Sequence, residues 1–168
     1  MNTAIFLVSV LMVSPHISEA AQNVNSYKYA YCVTHKECRL LAEAVVYEAR
    51  NQDEKGRIAV ASVIVNRVEE CKEQEKEKKC SVASILKAKG QFSYQQDKQK
   101  QLPPLASDWQ SAYDVAYDVL KRKVKDPTGG ALYYHTTKVR PYWARGKGVS
   151  RPKKIDNHLF YVSIRSVK

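Results

Sequence analysis

The sequence predicts an α+β domain, mainly helical with a small C-terminal β element. Apolar residues recur at helical spacing over about 36–50, 54–68 and 107–123. After the turn Asp126-Pro127-Thr128-Gly129-Gly130 the texture changes to short runs, 131–135 and 158–164, that read as strands. With 168 residues and no internal repeat, the chain has the size of one domain. Helices first and strands last is the order of an α+β fold.

Residues 1–20, MNTAIFLVSVLMVSPHISEA, hold an apolar run from Ala4 to Val13, then Pro15, with small residues at Ser18 and Ala20. The pattern fits a signal peptide cleaved after Ala20, and the run is too short to span a membrane. A secreted or periplasmic protein with no stable membrane span after cleavage is the expectation. The stretch contains no Lys or Arg, which keeps an uncleaved N-terminal anchor as the alternative. Residues 21–35 are polar, with Tyr27, Tyr29 and Tyr31, and read as a lead-in to a domain over 36–168.

The first predicted helix spans Lys36 to Arg50. Asn51 and Gln52 break it, and Asp53 can cap the next, 54–68, with Gly56 in its first turn. RIAVASVIVNRV within that second helix is apolar almost all round, the mark of a buried helix, with strand as the minority reading. The charged tract Glu69 to Lys79 reads as a solvated loop. Ser81 caps a short helix, Val82 to Lys89, ended by Gly90. Beyond the stiff Leu102-Pro103-Pro104, Ser107 is the expected cap of a helix to Lys123. Its inner face would be Trp109, Ala112, Val115, Ala116, Val119 and Leu120. The two short strands flank a basic, aromatic loop, Lys138 to Lys154; Tyr133 and Phe160 read as core.

Four cysteines in an exported chain suggest two disulfides. Cys32–Cys38 and Cys71–Cys80 is the favoured pairing of the three, since each closes a short polar segment. A zinc site around His35 would need a C-x-x-C spacing that is missing, so no metal is expected. The formal charge is +11; removing residues 1–20 takes away one acid, Glu19, and no base, giving +12. Such a surface favours an anionic partner, nucleic acid or an envelope polymer. Export and disulfides argue against nucleic acid.

Chemistry centres on LLAEAVVYEAR, Leu40 to Arg50. Glu48 follows Ala44 by four and Leu41 by seven residues, so it falls on the apolar stripe. A carboxyl group there is costly unless it has a partner or a task. Burial raises its pKa and makes it a candidate proton donor near neutral pH. The alternative is an edge glutamate ion-paired to Arg39 or Arg50. There is no H-E-x-x-H, no G-x-S-x-G and no phosphate-cradling glycine loop. Polar and aromatic residues such as Gln91, Ser93, Tyr94, Tyr134, His135, Tyr142, Trp143 and His158 suit a carbohydrate cleft, where rings stack on sugars.

The residues resemble a known family. Tyr47-Glu48-Ala49-Arg50, Gly56 with Ile58-Ala59-Val60-Ala61, and Asn66-Arg67-Val68 are similar to segments of the SleB-type cell wall hydrolases, which include spore cortex-lytic enzymes. The match continues through Gln91-Phe92-Ser93, Thr128-Gly129-Gly130-Ala131, Tyr134-His135, Val139 to Ala144 and His158-x-Phe160-Tyr161. It departs at Asn51, at Tyr94 to Asp97 and at Asp156-Asn157, where family members often carry other residues.

The resemblance implies a lysozyme-like helical domain that acts on peptidoglycan glycan strands as a lytic transglycosylase. Glu48 would be its catalytic acid. Gln91, Ser93, Tyr94, Tyr134, His135 and His158 would then orient sugar, with Tyr142 and Trp143 stacking on it. A cofactor-free monomer whose partner is anionic peptidoglycan is expected, with no nucleic acid. Muramidase-type hydrolysis and a non-catalytic peptidoglycan-binding domain are the alternatives.

Overall fold

The computed structural model describes residues 19–74, 79–88, 91–92, 94 and 103–164. Among the described residues five α-helices, α1 (Glu19–Thr34), α2 (Lys36–Ala49), α3 (Glu54–Gln74), α4 (Val82–Lys87) and α5 (Ala106–Leu120), precede a three-stranded antiparallel sheet. Its strands β1 (Tyr133–Thr136), β2 (Lys153–Ile155) and β3 (His158–Tyr161) lie in the order β1-β3-β2. The predicted class holds.

Helix α2 is the hub. Leu41, Ala42, Ala44, Val45 and Val46 are fully buried against α1, α3 and α5. The second predicted helix is indeed a helix, with Ala59, Val60, Ala61, Val63 and Ile64 buried. A smaller cluster, Ala49, Val60, Val63, Ala131, Ile155 and Phe160, joins the sheet to α2 and α3, and Tyr134 touches both clusters.

Several expectations need correction. The polar lead-in, 21–35, is helical as far as Thr34. Tyr27 and Tyr31, one turn apart, both set their rings edge-on to Tyr117 of α5, and Lys28 pairs with Asp118 at 2.7 Å. Aromatic docking and one ion pair do here what an aliphatic stripe does elsewhere, so no apolar periodicity announced the helix. The tract after Glu69 is not loop at first: α3 continues to Gln74. Alternating charge is as compatible with a solvated helical face as with a loop, and Cys71 pins this turn to Cys80. Ser107 does not cap α5; the carboxylate of Asp108 accepts the Leu105 N–H at 2.8 Å instead. Tyr117, not predicted, is buried on the inner face of α5. Phe160 is core, but Tyr133 is 37% exposed at the end of β1.

Other readings hold. The cysteines pair as Cys32–Cys38 and Cys71–Cys80. Ser81 and Ser84 form a reciprocal capping box on α4. Asp53 accepts the Gly56 N–H at 2.6 Å in the first turn of α3. The Asp126 carboxylate braces the predicted turn by accepting from Thr128, Gly130 and Asn66. Among the described residues no helix is long and apolar enough to cross a membrane. Residues 1–18, most of the expected signal peptide, lie outside the described residues.

Candidate active site

Glu48 sits in the last turn of α2, beside two residues that the core buries, Val45 and Ala49. The helix therefore holds its side chain at the rim of the core, where the sheet meets α2 and α3. The Tyr134 hydroxyl of β1 donates to Glu48 Oε2 at 3.1 Å. Burial raises the pKa of the Glu48 carboxyl, opposed less strongly by the Tyr134 hydrogen bond and by the positive charge of Arg67. The negative end of the α2 dipole acts in the same direction as burial. Tyr134 itself is held far above the ordinary phenol pKa, first by burial and then by the neighbouring Glu48 charge, so it stays a donor.

Glu48 opens onto a groove of about 610 Å³. Tyr47, Arg67 and Gln91 form one side; Tyr133 to Thr136, Val139, Trp143 and His158 form the other. The sheet positions this second side through register: Tyr134 pairs with Phe160, and Thr136 pairs with His158. His135 is buried, its Nε2 2.9 Å from the Tyr161 hydroxyl and its Nδ1 2.8 Å from the Thr136 carbonyl. Trp143 is anchored by ring contacts with Tyr133, His135 and Tyr161, at centroid distances from 5.3 to 5.6 Å. His158 is buried with Nδ1 unpartnered, and its pKa is lowered, first by burial and then by repulsion from His135. Burial thus favours its neutral form, against a smaller opposing effect of Asp156.

The groove thus gathers Glu48, Gln91, Tyr134, His135, Trp143 and His158 from the residues singled out in the sequence. Tyr94 is not among its walls: it is buried in the core, its ring stacked on Tyr47 at 5.3 Å. Tyr142 is 92% exposed and also stands outside the groove. Ser93 lies outside the described residues.

Tyr47, Arg67, Tyr133, Thr136 and Val139 also line the groove without having been singled out as site residues, and Arg67 is the charged one among them. Arg67 donates from Nε to the Leu132 carbonyl at 2.6 Å and from Nη1 to Gln91 Oε1 at 2.7 Å. Its guanidinium lies over the rings of Phe92 and Tyr133 at 5.6 and 5.9 Å. A signal existed: Arg67 follows Val63 by four and Val60 by seven residues, the same stripe argument that selects Glu48.

Chemically the groove offers one half-buried acid, aromatic faces and amide, imidazole and guanidinium donors. Among the described residues that line it, Glu48 is the one carboxylate. The other acids weighed as catalytic partners are engaged elsewhere or undescribed. Asp108 caps α5, Asp156 accepts the Asp53 N–H at 2.9 Å, and Asp97 lies outside the described residues.

The chain is similar to the catalytic domain of the germination-specific lytic transglycosylase SleB from Bacillus anthracis, with 27% identity and a TM-score of 0.57. That match covers 76% of this chain and 95% of the other. The catalytic domain of the Bacillus cereus SleB protein is similar at 28% identity and a TM-score of 0.53, over 74% of this chain and 88% of the other. No curated protein sequence matches significantly. The sequence model of the Cell Wall Hydrolase family matches residues 51–161, beginning three residues after Glu48. The chain, two-thirds of which that match spans, belongs to the Cell Wall Hydrolase family.

Proposed function

We propose that the protein cleaves the β-1,4 bond between N-acetylmuramic acid and N-acetylglucosamine in peptidoglycan, with Glu48 as general acid and then general base, as a lytic transglycosylase. One observation carries the reading: a carboxyl group of raised pKa, in a groove with no second carboxylate among the described lining residues. The raised pKa keeps Glu48 protonated closer to neutral pH, as a proton donor to a glycosidic oxygen requires.

In the first half of the reaction Glu48 gives its proton to the leaving oxygen of N-acetylglucosamine as the bond from the muramoyl anomeric carbon breaks. A hydrolase of the usual kind would then need another carboxylate as nucleophile or as base for water. In transglycosylation the muramoyl 6-hydroxyl attacks the anomeric carbon and returns its proton to Glu48. The product is a 1,6-anhydro end, and no water is consumed. The SleB neighbours, one of them described as a lytic transglycosylase, support this outcome. Gln91, His135 and His158 are suited to orienting hydroxyl and acetamido groups, and Trp143 to stacking on a sugar face. The two disulfides are compatible with action in an oxidising, extracytoplasmic compartment, reached through a signal peptide over residues 1–20.

The test is product analysis of digested murein with the wild type and Glu48→Gln. Muropeptides with 1,6-anhydro ends are expected from the wild type. The variant, which keeps the shape and loses the proton, should be slower by a factor of about 10²–10⁴. Reducing muramic ends would replace transglycosylation by hydrolysis. Full lysis by Glu48→Gln would remove Glu48 from the mechanism.

A further inference from the structure

The loop that supplies Val139 and Trp143 to the groove is strongly basic. Between residues 138 and 154 the chain carries seven Lys or Arg and no Asp or Glu. Lys153 and Lys154 lie on β2, an edge strand of the sheet, where lysines discourage edge-to-edge association. That account does not reach the five that lie outside the strands: Arg151, and the four on the stretch that carries Val139 and Trp143, namely Lys138, Arg140, Arg145 and Lys147. All four are exposed, and none pairs with a carboxylate among the described residues. The other dense basic run, Lys121 to Lys125, is largely engaged: Arg122 pairs with Glu69, and Lys121 and Lys123 lie over the rings of Tyr31 and Tyr117.

The backbone of this loop is also tied to the rest of the fold. Tyr142–Arg145 forms a short 3-10 turn anchored through the Trp143 ring. Past it, the Ser150 N–H donates to the Val162 carbonyl and the Ile164 N–H to the Gly148 carbonyl, both at 2.9 Å. Lys138 and Arg140 are the chain neighbours of Val139, a groove wall, about 3.8 Å away at Cα. Their exposed side chains thus start from the edge of the groove, and charge acts over ~8 Å at physiological salt. A ligand lying in the groove therefore passes an unopposed positive field on this side.

We propose that Lys138, Arg140, Arg145 and Lys147 form a docking surface for the carboxylates of the peptide side chains borne by the glycan strand in the groove. The proposal rests on the peptidoglycan reading above. Carboxylate is the complementary chemistry that such a strand itself presents, and guanidinium groups match it with paired hydrogen bonds. The surface would raise affinity and fix which strands enter, without touching the bond that breaks.

The test uses the full chain and purified sacculi freed of phosphate-containing polymers, native or with their carboxyl groups amidated. The wild type and the K138Q/R140Q/R145Q/K147Q variant are compared for binding at 0.15 M salt and for kcat at saturation. On native sacculi the variant should bind about tenfold or more weakly with kcat unchanged. Amidation should weaken wild-type binding to the same level and leave the variant indifferent. Equal binding of native sacculi by both proteins would overturn the proposal, as would a wild type insensitive to amidation. Wild-type binding that appears only when phosphate polymers are left in place would overturn it in favour of a phosphodiester partner. Charge-dependent binding without glycan release would sink the cleavage reading and leave the docking surface standing. Cleavage with no preference for native over amidated sacculi would do the reverse.

Discussion

The hydroxyl of Tyr134 reaches Glu48 Oε2 at 3.1 Å across a sequence separation of 86 residues, joining the hub helix to the sheet at the groove floor. The bond favours the charged carboxylate and works against burial, which is the larger influence. Replacing Tyr134 by Phe removes the donor and keeps the ring, so the Glu48 pKa should rise further. If Glu48 must be protonated to act, activity falls as pH rises through its pKa. The alkaline limb of the kcat/KM profile should therefore move to higher pH in Tyr134→Phe, with up to about a tenfold loss at the optimum from one lost hydrogen bond. A limb that stays put or moves down would separate Glu48 from that ionisation.

The same shift makes a stability prediction. A carboxyl whose folded pKa is raised resists ionising in the fold, so its penalty is absent below the unfolded value near 4.5 and grows as pH rises through the folded pKa. Glu48→Gln should thus be more stable than the wild type at pH 8, by about 0.5–2 kcal/mol as is common when a functional site is relaxed. The gap should close near pH 4. Thermal unfolding of both proteins across this range is the measurement, and a wild type more stable at pH 8 would contradict the burial argument.

Arg67 is the third member of this cluster. Its side chain satisfies the Leu132 carbonyl and Gln91, and its charge restrains the Glu48 pKa. Arg67→Met keeps much of the apolar stem but leaves the Leu132 carbonyl unpaired, costing about 1–3 kcal/mol. It should also move the alkaline limb of activity upward, as Tyr134→Phe does. Arg67→Lys keeps the charge without the planar fork. It should restore the limb but not the full stability. Paired pH profiles and unfolding curves separate the two roles.

Legibility in the sequence followed the kind of interaction at stake. Glu48 could be read because one residue's position on an apolar stripe is a local property of spacing. The grouping of Gln91, Tyr134, His135 and His158 around it depends on sheet register, such as the pairing of Thr136 with His158, which spacing does not encode. Residue type marked these four as cleft candidates, but only the fold brings them to Glu48. Tyr94 was misread because an aromatic beside a polar run looks the same whether it stacks on sugar or, as here, on Tyr47. Helix α1 was missed because tyrosine edges and one ion pair carry its docking.

The loop that ends the hub helix is fixed to the β2–β3 turn. Asp53 N–H donates to Asp156 Oδ2 at 2.9 Å, and Asn157 N–H donates to Gln52 Oε1 at 3.1 Å. Gly56 sits directly beneath: a methyl group there would lie 2.8 Å from Gln52 Cβ and 3.2 Å from Asp53 Oδ1. Gly56→Ala gains helix propensity of about 1 kcal/mol, yet overpacking costs typically 1–3 kcal/mol. Because the clash involves a Cβ atom that cannot swing away, the loss should win. A lower Tm and reduced glycan cleavage are expected, the latter because the groove wall carrying His158 follows the same turn.

The two disulfides let packing be weighed against loop entropy. Cys32–Cys38 spans six residues and Cys71–Cys80 spans nine. In the chain-entropy picture the longer loop gives Cys71–Cys80 the advantage, but only by about 0.4 kcal/mol, since the effect grows with the logarithm of length. Burial points the other way. Cys32 and Cys38 are fully buried where α1 meets α2, whereas Cys71 and Cys80 are half-buried. Removing two buried sulfur atoms leaves a void beside Leu41 and Tyr113 larger than the half-buried pair would leave, and core truncations of this kind cost well over 0.4 kcal/mol. The Cys32→Ala/Cys38→Ala protein should therefore lose more stability than Cys71→Ala/Cys80→Ala. Urea unfolding of the two double variants decides it: a larger loss for Cys71–Cys80 would mean that loop constraint outweighs packing in this fold.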